Sequence, residues 1–269
     1  MKKRKALCVG INDYPYDGSD LNGCVNDSVG WATIFTDNFS FSKEDVRLLN
    51  DAEATKSNVI AALKELVAGA AAGDVLVFTN SSHGSYVADS DGDEETYDEI
   101  LCPYDIKDNH IVDDELRCLF QDLPSGSLTV ILDNCFSGTA TRAPISDIIP
   151  GMRTPDDRRV RFLSPALRGL RVLLNPWTAR PKSREKHPQN EMREVLLAGC
   201  TDKEYSYDAL IEGQYHGAMT FYALQAIKAA KYKITYQQLH QRLENLISDY
   251  PQHPQLEGKK ENLKRQIFS

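Results

Sequence analysis

Apolar and polar positions alternate in blocks along the first half of the chain. Short apolar runs bounded by polar or turn-forming residues predict strands at 5–11, 46–49, 74–80 and 128–133. Stretches with apolar residues at helical spacing lie between these runs and predict helices at 22–38, 55–71 and 113–121. Thr55 is a suitable N-cap for the second helix, because its hydroxyl can accept a free backbone N–H. Strands that alternate with helices predict a parallel sheet covered by helices, so we expect an α/β fold.

The pattern breaks over 142–193, where prolines and basic residues occur without a sustained period. This composition predicts a loop or linker. Beyond it, the pattern predicts a strand at 195–200, amphipathic helices at 218–230 and 236–247, and a return toward the sheet at 251–254. We interpret 1–269 as a single domain with a large part at 1–141, the linker at 142–193 and a small part at 194–269.

Two of the predicted strands lead into residues that can carry out covalent chemistry. The run Val75–Phe78 leads to His83 and Gly84, and the run Leu128–Leu132 leads to Cys135. The carboxyl ends of parallel strands open on one edge of a sheet, where open α/β sheets place their ligand sites. A thiolate there is a nucleophile whose proton an imidazole can take. The glycine amide is free to face a developing oxyanion, so these residues predict a His/Cys catalytic dyad.

Five sequence motifs resemble those of the caspase-like cysteine peptidases of clan CD, family C14, and among them the metacaspases and bacterial orthocaspases. In chain order the motifs are Leu21–Asp27, Ser82–Gly84, the acidic stretch 91–99, Ile111–Leu116 and Asp133–Gly138. The interval between the candidate His and Cys also matches the caspase spacing of about 50 residues. The resemblance implies the caspase-haemoglobinase fold, an α/β/α sandwich around a central, mostly parallel sheet of about six strands.

The same resemblance implies a thiol protease, a cysteine-type endopeptidase that hydrolyses peptide bonds. In that family's mechanism Cys135 attacks the scissile carbonyl and His83 protonates the leaving amine. The amides of Gly84 and Cys135 then form the oxyanion hole.

The resemblance also implies cleavage after Arg or Lys, with Asp27 and Asp133 in the S1 pocket that receives the P1 side chain. Two carboxylates in a pocket suit a guanidinium because they can accept its forked N–H groups. Cys24 and Ser81 are implied to line the same pocket. We expect protein or peptide substrates with a basic P1 residue.

Calcium is a candidate cofactor by the same resemblance, although the dyad itself requires no cofactor. The acidic residues that match the family's calcium site are Asp98, Asp113 and Asp114, and hard carboxylate oxygens suit this ion. A further aspartate position of the family is Arg142 in this chain. A positive charge at that position argues against a calcium requirement.

Composition limits the binding partners and the cellular compartment that we expect for this protein. A net charge of −8 and a pI near 5.3 give no general attraction to nucleic acid or to an anionic membrane. The six cysteines are scattered without a C-x-x-C pair, as in reduced proteins. No apolar run approaches the roughly 18 residues of a membrane span. We expect a soluble, cytoplasmic protein, and the family resemblance implies a monomer.

Two other interpretations remain open for the site. One is a catalytically silent caspase-like scaffold that binds partners, which the intact dyad disfavours. The other is a metal-dependent hydrolase built on the acidic residues and His83, which is disfavoured because no His/Cys cluster has zinc-ligand spacing.

The linker also has two interpretations, because it contains the basic residues Arg180, Lys182, Arg184 and Lys186. A peptidase that cuts after Arg or Lys can process itself there. The competing interpretation is a solvated loop, or a docking surface for an acidic partner.

Overall fold

A six-stranded sheet runs through the centre of the molecule. The structure is a computed structural model and describes residues 2–88, 97–107, 109–135, 158–164, 192–201 and 204–269. Twelve strands are found in these residues: β1 (Arg4–Gly10), β2 (Val46–Asn50), β3 (Val75–Ser81), β4 (Gly84–Ala88), β5 (Tyr97–Leu101), β6 (Ile111–Val112), β7 (Leu128–Asp133), β8 (Arg159–Val160), β9 (Val195–Ala198), β10 (Tyr207–Ile211), β11 (Gln214–Gly217) and β12 (Gln255–Glu257). The helices are α1 (Cys24–Asn38), α2 (Lys56–Val67), α3 (Asp113–Phe120), α4 (Ala218–Ala229), α5 (Tyr236–Leu246) and α6 (Lys260–Leu263), with short 3-10 turns at Lys43–Asp45 and Asp51–Glu53.

The order of strands in the central sheet is β12-β9-β7-β3-β1-β2. All neighbouring pairs are parallel except β12 with β9, which is antiparallel. The expected parallel sheet is confirmed, and so is the return of the chain to the sheet after residue 254. In the register of β3 and β7, Ser81 pairs with Asp133, so the two strands end at the same level.

Helices cover both faces of this sheet, which makes the fold the expected α/β/α sandwich. One face packs against α1, α4 and α5 through side chains that include Trp31, Phe35 and Met219. The other face packs against α2 and α3 through side chains that include Leu63 and Phe120. The central strands β3 and β7 are buried on both faces, which explains why they appear in the sequence as continuous apolar runs.

Local sequence signals fix the ends of the helices. The Thr55 hydroxyl accepts the Asn58 amide at 3.3 Å, which confirms the predicted N-cap of α2. The helix ends at Val67, earlier than predicted, and Gly69 follows in the left-handed region at φ +60°. Thr235 caps α5 in the same way, through a capping box with Gln238.

Two small sheets, which the sequence pattern did not predict, lie beyond the central sheet. The first has the order β4-β5-β6 and is antiparallel, and β4 begins directly after His83. The second has the order β11-β10-β8. Its strand β8 belongs to the region 142–193, so the expectation that this region contains only loop or linker is wrong for residues 159–160. Arg161, next to β8, is completely buried, because charged groups of the domain surround its side chain.

None of the helices within the described ranges is long and apolar enough to cross a membrane.

Candidate active site

The candidate catalytic residues lie just beyond the paired ends of β3 and β7. His83 follows β3 by two positions and Cys135 follows β7 by two positions. The two strands end in register, so both residues are at the same edge of the sheet. Both are buried beneath other parts of the chain, His83 at 5% exposure and Cys135 at 0%.

His83 is held in place by contacts of its ring and of its backbone. Its Nε2 lies 2.6 Å from the carbonyl oxygen of Ser19, and its backbone amide donates to the Tyr14 hydroxyl at 3.1 Å. The Tyr14 ring packs at 4.9 Å between centroids. A carbonyl can only accept, so Nε2 carries the proton, and in the neutral imidazole Nδ1 is the basic nitrogen. Nδ1 is buried and has no hydrogen-bond partner among the described residues.

Burial lowers the pKa of His83 from 6.5 to about 4, while the carbonyl oxygen of Ser19 acts in the opposite direction. The Arg161 guanidinium lowers the pKa further, whereas the backbone carbonyl of the same residue raises it. The imidazole is thus neutral at pH 7, as a general base must be before it takes a proton.

The Cys135 thiol lies against the backbone of Ser206. The Ser206 amide donates to Sγ at 2.7 Å, and Sγ lies 3.4 Å from the Ser206 carbonyl oxygen. The thiol of Cys200 hydrogen-bonds Cys135, and that contact together with burial raises the pKa of Cys200 well above its usual value. Cys200 therefore remains a thiol at neutral pH.

Two backbone amides point at one oxygen atom. The amides of Gly84 and Cys135 both donate to the carbonyl oxygen of Arg161, at 3.0 and 3.2 Å. Two converging N–H groups are the arrangement that stabilises an oxyanion during acyl transfer. A Cβ atom at Gly84 would collide with the Cys135 carbonyl, so only glycine allows this close approach of the two strands.

The Arg161 side chain lies in a pocket of three buried carboxylates. Its Nη2 atom is 2.8 Å from Asp27 Oδ2 and 3.0 Å from Asp208 Oδ1. Its Nη1 atom is 3.0 Å from the Asp133 carbonyl oxygen and 3.5 Å from that residue's Oδ2. Each of these carboxylates is at most 1% exposed. The structure thus brings Asp27 and Asp133, the two predicted S1 residues, onto the same guanidinium.

Hydrogen bonds from the surrounding chain hold the carboxylates in place. Ser81 Oγ donates to Asp27 Oδ2 at 3.0 Å, and the Gly217 amide donates to the same oxygen at 3.0 Å. Asp133 accepts the Ser206 hydroxyl and the Thr220 amide, and Asp208 accepts the amides of Asn22 and Gly23.

Burial affects the ionisation of the groups in this pocket. It raises the pKa of Asp27, and Arg161 opposes that shift. It also raises the pKa of Cys24, which is fully buried beside the same charged groups. Cys24 and Ser81, the other two residues predicted for the S1 pocket, both lie beside these charged groups.

Sequence reasoning missed Arg161, Asp208 and the carbonyl of Ser19. Asp208 lies on β10, and nothing in its local pattern distinguishes it from a surface aspartate. Arg161 is one of many basic residues in the linker. Ser19 contributes only a backbone oxygen, which no side-chain pattern can indicate.

The three candidate calcium ligands lie near one another, away from the dyad. Asp98 is on β5, and Asp113 and Asp114 begin α3. Burial first, and then the charges of Asp114 and Asp98, raise the pKa of Asp113 to about 6. Asp114 forms an ion pair with Arg117. Among the described residues no three His, Cys, Asp or Glu side chains are grouped as ligands of one metal ion.

Some predicted positions lie outside the described residues. They are Arg142, the motif residues 136–138 that follow Cys135, and the basic residues Arg180, Lys182, Arg184 and Lys186.

Comparison with known proteins identifies the family of this chain. The family model for the metacaspase peptidase C14 domain matches residues 4–144. Metacaspase-1A of Aspergillus clavatus is 33% identical over 94% of this chain and 66% of its own length. Metacaspase-1 of Ajellomyces capsulatus is 32% identical over 94% of this chain and 79% of its own length.

A solved structure of a Geobacter sulfurreducens protein is similar to this fold, with a TM-score of 0.71 and 25% identity. The similarity covers 99% of this chain and 98% of that one. The chain spans 66% of the Aspergillus clavatus relative, so that protein is longer and contains further sequence. The family match and the identities show that this chain belongs to the metacaspases, the caspase-like family of cysteine-type endopeptidases with a peptidase C14 domain.

Proposed function

We propose that this chain is a cysteine endopeptidase that cleaves peptide bonds after Arg or Lys, with Cys135 as nucleophile and His83 as general base and acid. One observation carries the proposal. The guanidinium of Arg161 contacts three buried carboxylates while its own carbonyl oxygen accepts the amides of Gly84 and Cys135. A P1 residue of a bound substrate needs these two sets of contacts at the same time.

We expect these groups to carry out the following reaction. His83 Nδ1 takes the proton of the Cys135 thiol, because Ser19 fixes the other ring proton on Nε2. The thiolate attacks the substrate carbonyl, and the amides of Gly84 and Cys135 bind the oxyanion. His83 then gives its proton to the leaving amine. Water hydrolyses the thioester and restores the thiol.

The charge of the pocket sets the specificity. A guanidinium can use both terminal nitrogens at once, as Arg161 does with Asp27, Asp208 and the Asp133 carbonyl. An ammonium is a single point charge, so we expect Arg to be preferred over Lys. A P1 aspartate would place its negative charge among three carboxylates that carry the same charge. We therefore expect no cleavage after Asp.

The test compares fluorogenic peptides that differ only in a terminal Arg, Lys or Asp. We expect cleavage after Arg and Lys, none after Asp, and complete loss in the Cys135→Ala variant. Cys118→Ala is the matched control, because this exposed thiol lies outside the site and its loss should leave the activity unchanged.

Absence of cleavage, together with absence of labelling by an arginyl chloromethyl ketone, would contradict the proposal. That result would favour the scaffold interpretation instead.

Two further parts of the proposal concern the conditions of activity. We expect the dyad to work without a cofactor, so the peptide assay is run with added calcium and with a chelator. We expect the protein to act as a monomer, and its mass in solution tests this. Full activity in chelator would rule out a calcium requirement, and a dimer mass would refute the monomer.

A further inference from the structure

Residues 158–164 cross the candidate site as the short strand β8, a bend at Arg161 and an isolated bridge between Phe162 and Gly84. On one side of the site, Val160 pairs with Tyr207, and the Arg161 amide donates to the Ser206 carbonyl at 3.0 Å. On the other side, the Leu163 amide donates to the Gly84 carbonyl at 2.9 Å. The chain is therefore held by backbone hydrogen bonds before and after the Arg161 carbonyl, as a bound peptide is in a strand-addition complex.

The residue after Arg161 is also held in place. Phe162 packs in one apolar cluster with Cys135 and Cys200, and its ring stacks on Tyr86 at 5.9 Å between centroids. The Tyr205 ring lies 6.2 Å away on another side. The bond between Arg161 and Phe162 is thus fixed next to the candidate nucleophile, with contacts to the residues on both sides of it.

A purely structural role explains these contacts poorly. Burying an arginine among carboxylates costs desolvation, and a well-packed apolar residue often stabilises a protein as well or better. The Arg161 carbonyl, moreover, accepts the same two amides that the reaction needs. A segment with only a structural role would require neither the charge of the Arg161 guanidinium nor this position of the Arg161 carbonyl.

We propose that residues 158–164 are the first substrate of this peptidase and that self-cleavage breaks the Arg161–Phe162 bond. This inference rests on the proposed function and names the bond. Cys135 Sγ bonds to the Arg161 carbonyl carbon, the C–N bond to Phe162 breaks, and His83 gives the thiol's proton to the new amine. One water then hydrolyses the thioester, leaving a carboxylate on Arg161 and an amino terminus on Phe162.

The two products stay together after the cut. The first carries the dyad with Asp27 and Asp133, and the second carries Asp208. Strand β9 of the second product pairs with β7 of the first inside the central sheet. The cut frees residues 158–161 to leave the pocket, so substrates from outside the chain gain access without any loss of the core.

The test follows the full-length protein by intact mass and by sequencing of new amino termini, with calcium and with chelator. We expect a new terminus at Phe162, and none in Cys135→Ala. The cleaved fraction at a given time should not change on about tenfold dilution, because a tethered substrate reacts within its own molecule. The fragments should co-elute on gel filtration.

A matched pair of variants tests whether self-cleavage depends on the arginine that lies in the pocket or on any arginine of the segment 158–164. Arg161→Gln should abolish the cut, whereas Arg158→Gln should leave it unchanged, because the Arg158 guanidinium lies over Tyr250, outside the pocket. If Arg161→Gln does not fold, Arg161→Lys keeps the charge and should still be cut at the same bond, more slowly.

The outcomes distinguish this inference from the proposed function. A protein that cleaves arginyl peptides but never shows a Phe162 terminus would refute the inference and leave the function intact. Cuts only at Arg180–Lys186 would do the same. A protein that cleaves neither itself nor peptides would refute both.

Discussion

The Arg161 guanidinium and the Asp27 carboxylate lie 2.8 Å apart, and neither side chain is exposed to solvent. The pair joins the linker to the first turn of α1. Buried charges are stabilising only while their partners are present, so this contact makes the pocket sensitive to the loss of either charge.

The carboxylate of Asp208 offers the sharpest test of the pocket, because the sequence did not predict it. It is 3.0 Å from the guanidinium, and a hydrogen bond to a charged group contributes about 1.5–3 kcal/mol. We expect Asp208→Asn to lower kcat/KM for arginyl peptides by about 10- to 100-fold. Asp249→Asn removes an exposed carboxylate outside the pocket and should have no effect; equal losses in both variants would contradict this role.

Gly217 leaves space for the basic side chain. A Cβ atom there would collide with both Asp133 Oδ2 and Arg161 Nη1. We expect Gly217→Ala to abolish cleavage of arginyl peptides, measured alongside thermal unfolding to separate a blocked pocket from a destabilised fold. Gly30→Ala is the control, because its new methyl meets only the flexible end of Leu224 at 2.9 Å. Normal kinetics in Gly217→Ala would show that the pocket adapts.

His83 should make stability depend on pH. Its pKa falls from 6.5 to about 4 on folding, so the unfolded chain binds the proton more readily in that interval. Stability should therefore fall as pH decreases from about 6.5 to 4, by up to about 3 kcal/mol from this group.

The measurement is urea unfolding in the Cys135→Ala background, which prevents self-cleavage, with and without His83→Gln. The variant without the imidazole should lose less stability on acidification. Parallel pH curves for the two proteins would contradict the assignment.

The prime side of the cleft should prefer an aromatic residue. Phe162 stacks on Tyr86, and an aromatic pair contributes about 0.5–1.5 kcal/mol beyond its buried area. Among arginyl peptides that differ only at P1′, we expect Phe to be cleaved about 2- to 10-fold faster than Ala. Tyr86→Ala should remove the difference; a preference that persists in that variant would place the P1′ residue elsewhere.

The cap of α2 tests the fold independently of function. Thr55→Ala removes the acceptor for the Asn58 amide, and we expect a loss of about 1 kcal/mol in the free energy of unfolding. Thr55→Ser keeps the hydroxyl and should be close to wild type. An unchanged free energy in Thr55→Ala would mean that water caps this helix equally well.

The sequence predicts those parts of the fold and site that depend on local order. Strands β3 and β7 are buried on both faces, so their apolar runs are unmistakable, and parallel pairing brings the residues after them together. His83 and Cys135 could therefore be expected to meet. The motif around Asp27 likewise indicated one of the carboxylates that contact the Arg161 guanidinium.

The features of the fold and site that the sequence does not predict depend on contacts between distant parts of the chain. Asp208 and Arg161 have no local signature, and they meet only because β8 pairs with β10. The strands β4 to β6 and β10 to β11 are short and lack a long apolar run. The basic composition of 142–193 does not reveal that Arg161 is the most buried charged residue among the linker residues described.

The path of the backbone through Val160, Arg161 and Phe162 has a consequence for chemical probes. It specifies the direction, register and side-chain order of a ligand that the cleft holds by its own hydrogen bonds. A short peptide ending in Val-Arg, with an aldehyde in place of the Arg161–Phe162 amide, would place its oxygen between the amides of Gly84 and Cys135 and add reversibly to the thiol. The chain thus contains the template for its own selective inhibitor.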